Sequence, residues 1–195
     1  MGEGDFPISY VASDNVLGGI MGGNALANAI GKKGTVYVSN VKPGISTTDQ
    51  REEGFKLAMK NYPDITVLET QFNDDDANKA SAQVNAVVAR SPDLAGIFGA
   101  NLFSAIGSAD GVKAMGKTGE IKVVAFDAPT RIVDDLKSGL IDLAIAQHPA
   151  EIGYMGVRVA YGHVTGNPGP VSIGTGFTVM TADNIDDPDV SKYVY

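Results

Sequence analysis

Short apolar runs alternate along this chain with longer stretches whose apolar residues recur at helical spacing. Residues 8–12 read as a strand, after which Ser13, Asp14 and Asn15 offer capping oxygens to a helix reaching about Ile30. The alternation continues with a strand at 35–39, a helix at 47–61, a strand at 65–69 and a helix at 75–90. Three further strands, 94–98, 121–125 and 141–146, are separated by helices at 102–115 and 130–137. Beyond Pro149 the pattern changes to an amphipathic helix at 150–165, a Gly/Pro loop at 166–170, one extended stretch at 171–180 and an acidic tail at 183–195.

Short, fully apolar strands between helices predict an α/β fold with a mainly parallel sheet covered on both faces. Right-handed crossovers make this a three-layer α/β/α doubly wound sandwich, whose ligands lie beyond the carboxyl ends of the strands. The residues at those ends are 40–44, 73–76, Asn101, Asp127 and Gln147, with Arg51 early in the second helix able to reach the same edge. Turns favour Asn, Asp and Gly on their own account. Asn101 and Gln147, however, directly follow buried strands without being needed for a turn, so this edge is the candidate binding site.

Charge and composition narrow the chemistry. Fifteen Lys and Arg against 23 Asp and Glu, a net charge of −8, make nucleic acid an unsuitable partner. With no cysteine, the chain has no disulfide, thiolate zinc site or cysteine nucleophile. The sequence contains no phosphate-loop, dinucleotide-binding or nucleophile-elbow motif, and no cofactor is expected. His148 and His163 lack metal-ligand spacing and are expected as a turn residue and a solvated one. Asp74, Asp75 and Asp76 fail the calcium-loop spacing and suit a helix N-terminus. The pairs Gly18-Gly19 and Gly22-Gly23 lie four apart within the first helix, a spacing for close helix packing.

Several segments in order carry a resemblance. They are Tyr10-Val-Ala-Ser-Asp-Asn15, Gln50-Arg-Glu-Glu-Gly-Phe55, Phe98-Gly-Ala-Asn101, Val123-Val-Ala-Phe-Asp127, Ile145-Ala-Gln-His-Pro149 and Ala182-Asp-Asn-Ile-Asp-Asp-Pro188. Together they resemble the periplasmic solute-binding proteins of sugar ABC transporters, ribose/galactose type, over nearly the whole chain. The resemblance implies two lobes around a cleft, with Arg51, Asn101, Asp127 and Gln147 as the second lobe's contacts to a sugar or polyol. Asp127 would accept hydroxyl protons, Arg51 would donate, and the two amides would do both. Asp75 stands where such proteins often place an aromatic for stacking, and Leu102 replaces the usual Asp after the Asn.

The resemblance begins at the end of the first lobe. It implies that 1–13 contains that lobe's trailing strand, 14–147 is the second lobe, 148–176 returns to the first lobe, and 177–195 packs back on the second. A periplasmic receptor working with a membrane permease is the leading expectation, and no enzyme activity is expected. The alternative is the effector-sensing domain of a LacI-type transcriptional regulator, which shares the fold. The 150–165 helix would present an apolar face without its sheet, so a homodimer through that helix is expected.

Overall fold

The computed structural model describes residues 7–195. The chain enters through β1 (Tyr10–Ser13) and turns at Asp14, whose carboxylate accepts from the Leu17 N–H at 3.0 Å and caps α1 (Asn15–Ala29). There follow β2 (Gly34–Asn40), α2 (Ser46–Met59), β3 (Ile65–Val67), β4 (Gln71–Phe72), α3 (Ala77–Arg90), β5 (Leu94–Gly99) and α4 (Leu102–Ala114). The rest is β6 (Lys122–Phe126), α5 (Thr130–Lys137), β7 (Leu143–Gln147), α6 (Pro149–Val164), β8 (Ser172–Thr175), β9 (Phe177–Met180) and α7 (Pro188–Ser191).

The main sheet runs β3-β2-β5-β6-β7-β9, with β4 continuing on the β2 edge beyond β3. All its pairings are parallel except that of β9, which runs antiparallel to β7. Successive side chains point to opposite faces of a strand, and here both faces are apolar. Val36, Val38, Phe98, Val124, Phe126 and Ile145 enter one core with residues of α1 and α2. Tyr37, Ile97, Val123, Ala125, Ala144 and Ala146 enter the other with residues of α3, α4 and α5. The fold is the mainly parallel α/β sandwich that the alternation predicts.

The first of these cores is built on absence of side chains. Gly18 and Gly22 face the sheet, where Phe55 stacks on Phe98 at 5.2 Å and Phe126 meets Phe98 and Phe177 edge to face. A methyl at Gly18 would collide with Phe126 and Phe177, and one at Gly22 with Phe98. Gly19 and Gly54 face the other helix instead. A Cβ on Gly19 would overlap the Arg51 carbonyl, and one on Gly54 the Val16 carbonyl. The glycine pairs thus serve two rows of contact, aromatic rings below and α2 beside.

Several segments differ from the sequence reading. The 65–69 strand stops at Val67 and pairing with β2 resumes at β4, while the strand expected at 141–146 spans Leu143–Gln147. The stretch 171–180 is two strands: β8 pairs with β1 in a separate two-stranded sheet, and β9 joins the main one after Gly176. The start at 8–12 shifts to Tyr10–Ser13, because β1 follows its pairing with β8. The acidic tail is folded down, with Ile185 buried and Val190, Tyr193 and Val194 packed on the second core. Tyr193 stacks on His148 at 3.8 Å, and His148 Nε2 lies 2.9 Å from Thr178 Oγ1, so this turn residue is also a packing one. His163 is exposed, as expected. In α6 only Val159 is buried, whereas Tyr154, Val157, Tyr161 and Val164 are each more than 60% exposed.

The close contact between α1 and α2 gives a stability contrast. Gly19→Ala should lower unfolding free energy by about 2 kcal/mol, because backbone cannot yield as a side chain can. Gly153→Ala, in open space on α6, should be neutral or stabilising by up to about 1 kcal/mol. Urea unfolding of the two variants checks this, and equal effects would contradict the packing argument.

Candidate functional site

Arg51 is carried on α2, yet its side chain is buried, only 5% of the residue remaining exposed. A buried guanidinium must be paired or solvated by protein dipoles. Its Nε donates to Asn15 Oδ1 at 2.9 Å and its Nη1 to the Ala100 carbonyl at 2.9 Å. The guanidinium carbon lies 3.7 Å above the centre of the Phe126 ring, a cation–π contact. Burial draws its pKa below the usual range, while the charge of Asp127 opposes that shift. Two N–H groups are therefore committed to protein oxygens before any ligand arrives.

Asp127 leaves β6 with φ at +77°, in the left-handed region that non-glycine residues seldom enter. Its N–H donates to the Ile145 carbonyl at 3.1 Å, which holds that backbone against β7. Its Oδ1 accepts from Gln147 Nε2 at 2.5 Å and from the Tyr195 hydroxyl at 2.8 Å. Gln147 Oε1 in turn accepts from Ser13 Oγ at 2.7 Å, so one amide joins β1 to Asp127. Burial and the neighbouring Asp127 charge both push the Tyr195 phenol upward, which keeps it a proton donor.

A second pair stands on the adjoining strand ends. Asn101 Nδ2 donates to Asp75 Oδ1 at 2.6 Å, while Asn101 Oδ1 accepts from the Ser104 N–H and caps α4. Asp75 does not start a helix as its sequence context suggests. The cap of α3 is Asp76, which accepts from the Asn78 and Lys79 N–H groups, and Asp75 sits before it at φ +64°. Buried Asn73 sets that turn, accepting from the Asp75 N–H and donating to Ser39 Oγ and Ser104 Oγ.

The segment 100–102 connects these groups: Ala100 binds Arg51, Asn101 binds Asp75, and Leu102 lines a cavity of about 340 Å³ with Asp127 and Gln147. The 40–44 loop is not drawn in. Asn40 donates to Glu52 and accepts from the Val41 N–H, and Gly44 donates to Asp49. Those polar groups are spent within the loop and α2. Residues that the sequence reading did not place at the site are Ser13, Asn15, Phe126 and Tyr195. Phe126 is the last residue of a strand that ends in a candidate, and Asn15 stood out only as a possible cap.

A carboxylate and two amides at the strand ends, with the Arg51 guanidinium from α2 beside them, gather at the carboxyl edge of a doubly wound sheet. The chain belongs to the periplasmic binding protein family: residues 3–168 match the periplasmic binding protein domain. It is 35% identical over 153 residues to the ribose import binding protein of Haemophilus influenzae, covering 78% of this chain and 51% of that protein. It is 30% identical over 152 residues to the D-allose-binding periplasmic protein of Escherichia coli, covering 77% and 49%. The chain thus spans about half the length of these curated relatives. Among solved structures, an ABC transporter solute-binding protein from Agrobacterium vitis bound with alpha-D-tagatopyranose is 67% identical, with a TM-score of 0.95. That match covers 100% of this chain and 65% of the solved one. A solute-binding protein from Actinobacillus succinogenes with bound D-allose is 28% identical, with a TM-score of 0.85, covering 90% and 61%. These relatives are import and solute-binding proteins, and they lend no support to the transcriptional-regulator alternative.

Arg51→Lys removes the planar fork that reaches Asn15 and Ala100 together, and should destabilise the chain by about 2 kcal/mol. Urea unfolding of this variant beside Lys60→Arg, on exposed surface, checks it; equal stabilities would show that neither bond contributes.

Proposed function

We propose that this chain is the second lobe of a sugar- or polyol-binding receptor of an ABC importer, and that it supplies one wall of an interlobe cleft. The observation that carries this reading is the Asp127–Gln147 pair, held at adjacent strand ends beside buried Arg51. A pyranose presents hydroxyls that both donate and accept. Asp127 accepts hydrogen bonds from them, and Asn101 and Gln147 answer either role. Buried polar groups left unpaired by the wrong sugar penalise it strongly, which is how such a site discriminates. The ligand class is a pyranose of the kind bound by the Agrobacterium vitis relative, whose likeness extends over this entire chain. Asp75, joined to Asn101, contributes a second acceptor in place of an aromatic stacking surface.

In this reading the receptor is periplasmic, delivers its ligand to a membrane permease and performs no chemistry on it. Residues 148–176 cross to the other lobe, 14–147 form this one, and 177–195 return. The exposed apolar face of α6, with β1 and β8, is then the part that the other lobe covers; solved relatives are correspondingly longer than this chain. Without that cover the chain should associate with a second copy through α6. Sedimentation velocity over a concentration series should show a dimer that Val157→Glu returns to monomer, and a wild-type monomer throughout would remove this expectation.

The direct test is binding. Titration of the isotopically labelled chain with millimolar D-tagatose should shift amide resonances at Asp127, Gln147 and Asn101. Asp127→Ala should abolish the shifts while leaving the fold intact. Persistence of the same shifts in that variant would remove Asp127 from the site.

A further inference from the structure

The carboxylate at the centre of the site is already half occupied by the chain itself. Asp127 Oδ1 accepts from both Gln147 and Tyr195, which fills the lone pairs of that oxygen. A ligand therefore meets this carboxylate through Oδ2. Tyr195 is also tethered by its backbone, whose N–H donates to the Ala128 carbonyl at 3.3 Å, one residue beyond Asp127. Its ring joins Leu102, Pro129, Pro149 and Ile152 as the apolar side of the same cavity that Asp127 and Gln147 line with polar atoms. Two residues earlier, Tyr193 stacks on His148, which anchors the segment against the turn into α6.

We propose that Tyr195 is a ligand-contacting, specificity-determining residue. Its hydroxyl confines Asp127 to hydroxyls presented at Oδ2, and its ring meets the C–H surface beside them. The inference rests on the reading of Asp127 and Gln147 as sugar contacts. Without the phenol, Oδ1 would be free to take a further hydroxyl, so a vicinal diol could bridge both carboxylate oxygens. Sugars that differ in the orientation of neighbouring hydroxyls would then be ranked differently. Leu102 and the prolines leave the ring's surroundings apolar, so the phenol is the polar group in that half of the cavity that selects among them.

The conservative variant Tyr195→Phe keeps the ring and removes only the hydroxyl. The wild-type chain, Tyr195→Phe and Asp127→Ala would each be titrated with D-tagatose, D-allose and D-arabinose, read by amide shifts, with thermal unfolding as a fold control. The expected result is that Tyr195→Phe unfolds near the wild type but changes the ratio of affinities among the sugars by roughly tenfold, the scale of one hydrogen bond to a charged group. An unchanged ratio overturns the proposal, whether the affinities stay level or all fall by one factor, since a common factor marks a structural role. If wild type and Asp127→Ala respond alike to all three sugars, the site reading itself fails, and the role of Tyr195 falls with it.

Discussion

The burial of one guanidinium organises this molecule. Removing Arg51 from water costs several kcal/mol unless charge and donors are met, and three elements meet them at once. Asn15 at the start of α1 takes Nε, Ala100 at the end of β5 takes Nη1, and Phe126 at the end of β6 lies beneath the plane. No single element could supply all three, so the side chain is satisfied only when α1, α2 and the sheet edge are in register. The approach of α2 to α1 depends on Gly19 and Gly54, each of which meets a carbonyl of the other helix. The seam of small residues and the buried charge are therefore two expressions of one packing arrangement.

From that anchor the polar edge is assembled by side chains that hold one another. Gln147 bridges Ser13 to Asp127, Asn101 both caps α4 and holds Asp75, and Asn73 fixes the turn that presents Asp75. Asp74, Asp75 and Asp127 all have positive φ. Left-handed backbone at non-glycine residues costs of order 1–3 kcal/mol each and persists where the surroundings over-determine it. Here the over-determination is visible in the Asn73 side chain on one turn and in the Asp127 N–H to Ile145 on the other. Three of the four non-glycine residues with positive φ among those described thus lie along this edge, the fourth being Lys32 in the turn after α1.

The sheet was legible because its strands are short, apolar on both faces and set at helix-length spacing; β5, β6 and β7 each end within a residue or so of where periodicity places them. That Arg51, Asn101, Asp127 and Gln147 would lie along one edge was legible because the fold class says where strand ends gather. What stayed hidden depended on contacts distant in sequence. An extended stretch that changes sheets at Gly176 has the same alternation as one that does not, and only the partners of β8 and β9 distinguish them. Tyr195 reaches Asp127 across 68 positions of chain, and an acidic composition disguises the apolar spacing of Ile185, Val190, Tyr193 and Val194. Asp75 and Asp76 are chemically identical, and only the Asn73 side chain decides which of them caps the helix.

A site whose residues bind one another before a ligand arrives has a particular consequence for binding by lobe closure. Ordering side chains on association costs free energy that subtracts from affinity. Here Gln147, Asn101 and Arg51 already have fixed partners, so in the proposed receptor a pyranose would meet a wall that needs little further ordering. In that receptor, discrimination would come from the acceptors left open, chiefly Asp127 Oδ2, and from the proposed opposing lobe. In the proposed receptor, closing a second lobe over this wall would remove water and strengthen each charged hydrogen bond made across the cleft. Near the end of β7, His148 stacks on Tyr193 of the tail and lies close to Gly176.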